Sequence, residues 1–209
     1  MKFIIRLFSA LIITFSYIEL AYSKTTKIII FGDSLIAGYG LVVEDNFVNQ
    51  LKLKTIENKI NDVTLFNSGV SGETSTGLLN RYKWVLEDNY DGVIILIGAN
   101  DALRGIDPSL TSQNIEKILS YLKEKQIPTM LIGMKAPNNL GEIYVNEFNT
   151  IYPKLSKKYN LAYYPFFLKD VALKPSLNQK DMIHPNKKGV KIIVNNFFPY
   201  FLEFYESLK

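Results

Sequence analysis

The sequence predicts an α/β domain in three layers, with helices on both faces of a parallel sheet. Five short apolar runs recur along the chain, each followed by a polar or glycine-containing stretch and then by a segment of helical spacing. That alternation is how parallel sheets with right-handed helical crossovers are written. The three clearest runs are apolar throughout and do not alternate, as in strands buried on both faces. A chain of 209 residues, 47% of them hydrophobic, is long enough for one domain with a full core.

The elements follow in order. Residues 27–31 form the first run, Lys-Ile-Ile-Ile-Phe, and Gly32-Asp33-Ser34 ends it. Helical spacing covers 47–56, and the second run is 63–66, leading into Asn67-Ser68-Gly69-Val70-Ser71-Gly72. A helix over 75–86 precedes the third run, 93–97, which gives way to Gly98-Ala99-Asn100-Asp101. Residues 110–125 read as a helix before the fourth run, 129–132, and 144–159 as another, with a break or kink expected at Pro153, before the fifth run, 161–164. The last segment, 187–208, carries an apolar face of Val190, Ile193, Val194, Phe197, Phe198, Phe201 and Leu202, interrupted by Pro199.

Residues 1–23 stand apart from this pattern. Lys2 and Arg6 lead into an apolar stretch over 7–18, and Ala21 and Ser23 place small residues at the −3 and −1 positions of a cut. This is the pattern of a secretory signal peptide, and the apolar stretch is shorter than the roughly 20 residues a spanning helix needs. Cleavage would leave residues 24–209 as the mature domain, in the periplasm or outside the cell.

Loss of Lys2, Arg6 and Glu19 would leave 22 basic and 19 acidic side chains, a net charge of +3, too small to indicate nucleic acid. The charge is uneven: residues 24–150 carry 12 basic and 15 acidic groups, and 151–209 carry 10 and 4. A solvated lysine-rich face accounts for the basic quarter, and transient contact with anionic lipid is the functional alternative. The absence of cysteine excludes disulfides, thiolate metal sites and cysteine nucleophiles together.

Ligands of such folds bind beyond the carboxyl ends of the strands, and the three loops that follow the first three runs consist of small residues, hydroxyls, amides and acids. A serine becomes a nucleophile when a base takes its proton, and histidine is the usual base. The chain has one histidine, His184, with Asp181 three residues before it and Pro185 after it. A carboxylate at that spacing can curl back onto one ring nitrogen and hold the tautomer. Alone, a single loop histidine is more often a surface residue; with Ser34 and a set of oxyanion donors it becomes part of a constellation. The candidate donors are the backbone N–H groups of Ser34 and Gly69 and the side-chain amide of Asn100. Asp33 and Asp101 are read as structural, accepting backbone N–H groups or capping helices, and Glu73 suits a helix start.

Gly32-Asp33-Ser34-Leu35, Gly69 in its small-residue loop, Gly98-Ala99-Asn100-Asp101 and Asp181-x-x-His184-Pro185, in that order, resemble the SGNH hydrolases, also called the GDSL esterases and lipases. Residues 96–105 are most similar to the branch of small periplasmic acyl-CoA thioesterases, arylesterases and lysophospholipases. The resemblance implies a flavodoxin-like five-stranded parallel sheet, with no metal and no cofactor. It implies Ser34 as nucleophile, His184 as base, Asp181 as its orienting acid, and Ser34, Gly69 and Asn100 as the oxyanion hole. The substrate implied is a small-molecule acyl ester or thioester cleaved through an acyl-enzyme, and the chain is expected to act as a monomer. Leu103 and Ile106 are candidates for one wall of an acyl pocket and the segment 134–144 for another, with packing on the sheet edge as the alternative. Two rival readings carry their own signatures: a carbohydrate O-acetylesterase would have a small polar acyl site, and a non-catalytic lipid- or glycan-binding protein would not need Ser34, Gly69, Asn100, Asp181 and His184 together.

Overall fold

The computed structural model describes residues 25–209; the leader expected over 1–23 lies outside the described residues. The chain runs β1 (Thr26–Gly32), α1 (Ser34–Ala37), α2 (Phe47–Glu57), β2 (Val63–Gly69), α3 (Ser75–Val85), β3 (Gly92–Leu96), α4 (Ala99–Leu103), α5 (Pro108–Glu124), β4 (Thr129–Ile132), α6 (Glu142–Asn149), α7 (Ile151–Tyr159), β5 (Ala162–Tyr164) and α8 (Lys187–Glu206). The five strands form one sheet in the order β2-β1-β3-β4-β5, parallel throughout, as expected. Right-handed crossovers that step first to one side of β1 and then to the other leave their helices on opposite faces. Accordingly α2 packs with α8, while α5 packs with α3 and α7.

Burial explains which runs were apolar throughout. Every residue of β3 and β4 is buried, and β1 exposes only Lys27, because each of these strands has a neighbour on both edges and helices on both faces. At the sheet edge, β2 is different: Thr64, Phe66 and Asn67 are exposed.

Three segments depart from the sequence reading. β2 continues three residues past its apolar run, because Asn67, Ser68 and Gly69 pair by backbone with Ile30, Phe31 and Gly32, and a ladder needs no apolar side chains. The helix expected over 144–159 is two helices parting at Thr150. Pro153 has no N–H for the Asn149 carbonyl, and its ring crowds that group. By contrast, α8 runs unbroken through Pro199; the carbonyl it deprives belongs to Asn195, and both residues are exposed, on the side of the helix that faces water. Leu202 is exposed rather than part of the apolar face, which Phe204 and Tyr205 extend instead.

Candidate active site

The register sets Gly32 beside Gly69 on one side and Leu96 on the other, so three loops leave the carboxyl edge of the sheet side by side at the switch point between β1 and β3. Asp33 turns the first of them. Its Oδ1 accepts the Leu35 N–H at 2.9 Å and caps α1, the structural part expected of it. Ser34 is the first residue of that short helix and is 9% exposed. Past the end of β3, Gly98 adopts φ +112°, a region that side chains rarely enter. A Cβ there would lie 2.2 Å from the Tyr152 hydroxyl, which donates to the Ile97 carbonyl at 2.8 Å. The turn at Gly98 opens α4 and puts Asn100 in its first turn.

His184 arrives from the far end of the sequence on a loop held by backbone and amide groups. Asn178 and Pro185 form an isolated antiparallel bridge, and the Gln179 N–H donates to the His184 carbonyl at 2.8 Å. Gln179 Nε2 donates to the Tyr39 carbonyl at 2.7 Å, which ties the loop to the residues following α1. The Tyr39 ring packs on the imidazole, with centroids 4.7 Å apart. Asn186 then closes the loop by capping α8 through Oδ1.

This scaffolding brings together three residues expected from the sequence. His184 Nε2 lies 2.8 Å from Ser34 Oγ, and Nδ1 lies 2.7 Å from Asp181 Oδ2. The other carboxylate oxygen, Oδ1, accepts the backbone N–H groups of Ile183 and His184 at 3.0 and 3.1 Å. Desolvation opposes the Asp181 charge, but the imidazole and the two N–H groups outweigh it and hold the carboxyl at about 2. An ionised carboxylate only accepts, so the ring proton sits on Nδ1 and Nε2 is left to accept the Ser34 hydroxyl.

Asp33 behaves in the opposite way. Burial pushes its carboxyl up to about 6, against the Leu35 N–H and the His184 charge, with Glu73 and Asp101 adding to the rise. Its Oδ2 is buried without a hydrogen-bond partner among the described residues. Between the ordinary carboxyl value of 3.8 and about 6, the native state holds this proton better than the unfolded chain, so its contribution to stability declines as pH rises through that window. Asp101 is structural, as expected: it accepts the Ser75 N–H at 2.8 Å and the hydroxyls of Ser75 and Thr111 at 2.5 and 3.1 Å.

The oxyanion donors need one correction. Ser34 N–H has no internal acceptor among the described residues. Asn100 Nδ2 donates one hydrogen to the Glu73 carbonyl at 3.1 Å, which fixes the amide and leaves its second hydrogen open. Gly69 does not join them. It is the last residue of β2, and its N–H donates to Asn67 Oδ1 at 2.9 Å. A Cβ at Gly69 would strike the Ala37 nitrogen of α1 at 2.2 Å, so this glycine serves close packing. Gly72, three residues on, lines the cavity with Ser34, Asn100 and His184, and its N–H has no internal acceptor among the described residues. Its φ of +79° is the left-handed turn that glycine accommodates.

Sequence reasoning also missed Arg81, on α3, which clamps the loop carrying Gly72. Its guanidinium donates to Ser68 Oγ and the Ser68 carbonyl at 2.8 and 2.7 Å and to both carboxylate oxygens of Glu73 at 2.6 and 2.7 Å. Glu73 is therefore an ion-pair partner rather than a helix-dipole residue. Arg104 adds a hydrogen bond to the Gly72 carbonyl at 2.8 Å. Arg81→Gln is expected to lower kcat about ten- to a hundredfold with KM nearly unchanged, since misplacing one oxyanion donor costs less than the 10²–10³ of removing it. Arg81→Lys should not restore it, because an ammonium cannot bind both loop ends as a fork. Steady-state kinetics beside thermal unfolding separate this loss from a loss of fold.

A cavity of about 660 Å³ opens beside Ser34. Leu103 lines it, as do Met134, Ala136 and Pro137 from the segment after β4. Ile106 does not line it; its carbonyl accepts the Tyr144 hydroxyl at 2.8 Å, anchoring α6 instead. Among the described residues, no group of three or more His, Asp or Glu side chains is placed to hold a metal ion.

Residues 30–192 match the GDSL-like lipase/acylhydrolase family. An arylesterase of Vibrio mimicus is 34% identical over 186 residues, covering 88% of this chain and 92% of its own. The thioesterase 1/protease 1/lysophospholipase L1 of Escherichia coli (strain K12) is 35% identical over 169 residues, covering 80% of this chain and 79% of its own. The crystal structure of AlinE4, an SGNH-hydrolase family esterase, superposes with a TM-score of 0.73 at 40% identity, over 86% of this chain and 96% of that one.

Proposed function

The chain belongs to the GDSL-like lipase/acylhydrolase family, a carboxylic ester hydrolase, and from that premise we propose that Ser34 attacks acyl esters and thioesters to form an acyl-enzyme. The observation that carries this reading is the unbroken chain from Asp181 through His184 to Ser34 Oγ, with contacts of 2.7 and 2.8 Å, opening onto three unengaged donors. Ser34 Oγ adds to the substrate carbonyl as His184 Nε2 takes its proton. The oxyanion develops toward Ser34 N–H, Gly72 N–H and the free Asn100 hydrogen, where preorganised donors act most strongly. Collapse expels the alkoxide or thiolate, which leaves with the proton from His184, and the acyl group stays on Ser34. His184 then takes a proton from water, the hydroxide adds to the acyl carbonyl, and collapse releases the acid as Ser34 Oγ leaves and takes the proton back from His184. Asp181 stays charged and steadies the imidazolium at both steps.

The acyl group belongs in the cavity beside Ser34. Leu35, Leu103, Met134, Ala136 and Leu168 give it an apolar lining, which favours chains longer than acetyl over the small polar site of a carbohydrate acetylesterase. If residues 1–23 direct export, lysophospholipids and small acyl esters of the cell envelope are the substrates within reach. Hydrolysis of p-nitrophenyl esters from acetyl to palmitoyl, with one acyl-CoA and one lysophospholipid beside them, tests the reading. The optimum is expected at medium or long chains; activity confined to acetyl would move the assignment to a carbohydrate esterase.

A further inference from the structure

The mouth of the cavity carries apolar residues that the core does not use. Tyr39, Leu103, Leu173, Met182 and Ile183 all line it, and all are exposed, Leu173 by 80%. They come from three separate segments: the residues after α1, the end of α4, and the long connection between β5 and α8. Two of them sit where an apolar side chain is least expected. Six residues other than glycine adopt positive φ among those described, and four of these, Lys59, Gln126, Asn160 and Asp170, are polar. The two apolar ones are Leu173 and Met182, at φ +62° and +61°, both at this mouth. Glycine or asparagine would hold such a backbone with less strain, so folding alone gives no reason for leucine and methionine there.

Cations accompany these residues. Arg104 follows Leu103, Lys174 follows Leu173, and Lys180 stands two residues before Met182. Lys135 lines the cavity itself, and no Asp or Glu among the described residues does. Lys135, Lys174 and Lys180 are exposed, and none has a carboxylate partner among the described residues. An apolar rim set among unpaired cations is complementary to a surface that offers acyl chains beneath negative head groups. We propose that this rim docks the enzyme on an anionic phospholipid surface, placing the cavity mouth against the bilayer so that a lipid-borne ester enters from the membrane side. The proposal rests on the acyl-ester reading for its purpose, but binding is measured without turnover, so the two fail separately.

The test is co-sedimentation of the full chain with vesicles of phosphatidylcholine and of equal parts phosphatidylcholine and phosphatidylglycerol. Every protein compared carries the same N-terminal segment, so differences between variants report the rim. Lys174→Glu is expected to weaken binding to the phosphatidylglycerol vesicles at least fivefold while hydrolysing a water-soluble ester at the parent's rate. Leu173→Asn is expected to weaken binding to the same vesicles about tenfold without lowering Tm, because asparagine tolerates the left-handed backbone. A leucine kept for packing would give the reverse, a lower Tm with binding unchanged, and would overturn the proposal. So would parent-like binding by both variants, or a concentration-dependent dimer that Leu173→Asn abolishes, which would assign the rim to a second copy of the chain.

Discussion

Ser34→Ala is expected to fold as the parent does and to hydrolyse esters slower by a factor on the order of 10⁴–10⁶. The fold survives because, among the described residues, the hydroxyl makes a single side-chain hydrogen bond, with His184 Nε2, while α1 is capped by Asp33 and needs nothing from Oγ. Losing one hydrogen bond of that kind costs about 1 kcal/mol, a small shift in Tm. The rate falls because Ser34 Oγ is the hydroxyl that His184 Nε2 contacts, at 2.8 Å, and the substitution removes it. Residual hydrolysis should persist above the uncatalysed rate, since Ser34 N–H, Gly72 N–H and Asn100 remain to stabilise an oxyanion formed by water. Thermal unfolding and the hydrolysis rate, measured on the same preparation, check both halves.

Asp181→Asn should reduce turnover by about 10⁴, for a reason visible in how the carboxylate is held. Oδ1 accepts the N–H groups of Ile183 and His184 at 3.0 and 3.1 Å, so the substituted amide keeps its oxygen on those two donors. Its NH₂ then faces His184 Nδ1, which must accept. The ring proton moves to Nε2, which meets the Ser34 hydroxyl as a donor and cannot take its proton. The loop is preserved and the tautomer is wrong. Turnover near the parent's would show that another group orients His184. Asp181 also makes a pH statement. With its carboxyl held at about 2, below the ordinary value of 3.8, its stabilising contribution is complete above the unfolded value and lost only as pH falls through about 2. An acid limb of the rate profile at higher pH therefore belongs to another group.

The central strands were legible because burial on both faces leaves no alternation to mislead: the apolar runs of β1, β3 and β4 mark those strands to within a residue at each end. Ser34, Asn100, Asp181 and His184 were legible because each chemistry demands its residue type, and the strand order accounts for the meeting of Ser34 and Asn100. What the sequence concealed lies where backbone, not side chains, sets the structure. β2 runs on through Asn67 and Ser68 by ladder bonds alone, so Gly69 looked like a loop residue, and Gly72 was passed over in a loop that holds both glycines. Arg81 offers no local signal either, because its partners Glu73 and Ser68 lie 8 and 13 residues away and off its own helix. Ile106 shows the limit of composition: an apolar residue just past the oxyanion loop suits a pocket wall and a packing site equally, and here its carbonyl is what matters. The placement of His184 depends on Gln179 reaching back to the Tyr39 carbonyl, a contact across 140 residues that no periodicity encodes.

The central claim is that Ser34 carries the acyl group, and covalent labelling tests it most directly. An alkyl p-nitrophenyl phosphonate offers the same site a tetrahedral centre that water releases slowly, so the intermediate is trapped rather than turned over. Mass spectrometry of the intact protein and its peptides is expected to show one phosphonyl group, on Ser34, formed in step with loss of activity and absent from Ser34→Ala. A label on another residue, or equal labelling of Ser34→Ala, would contradict the account.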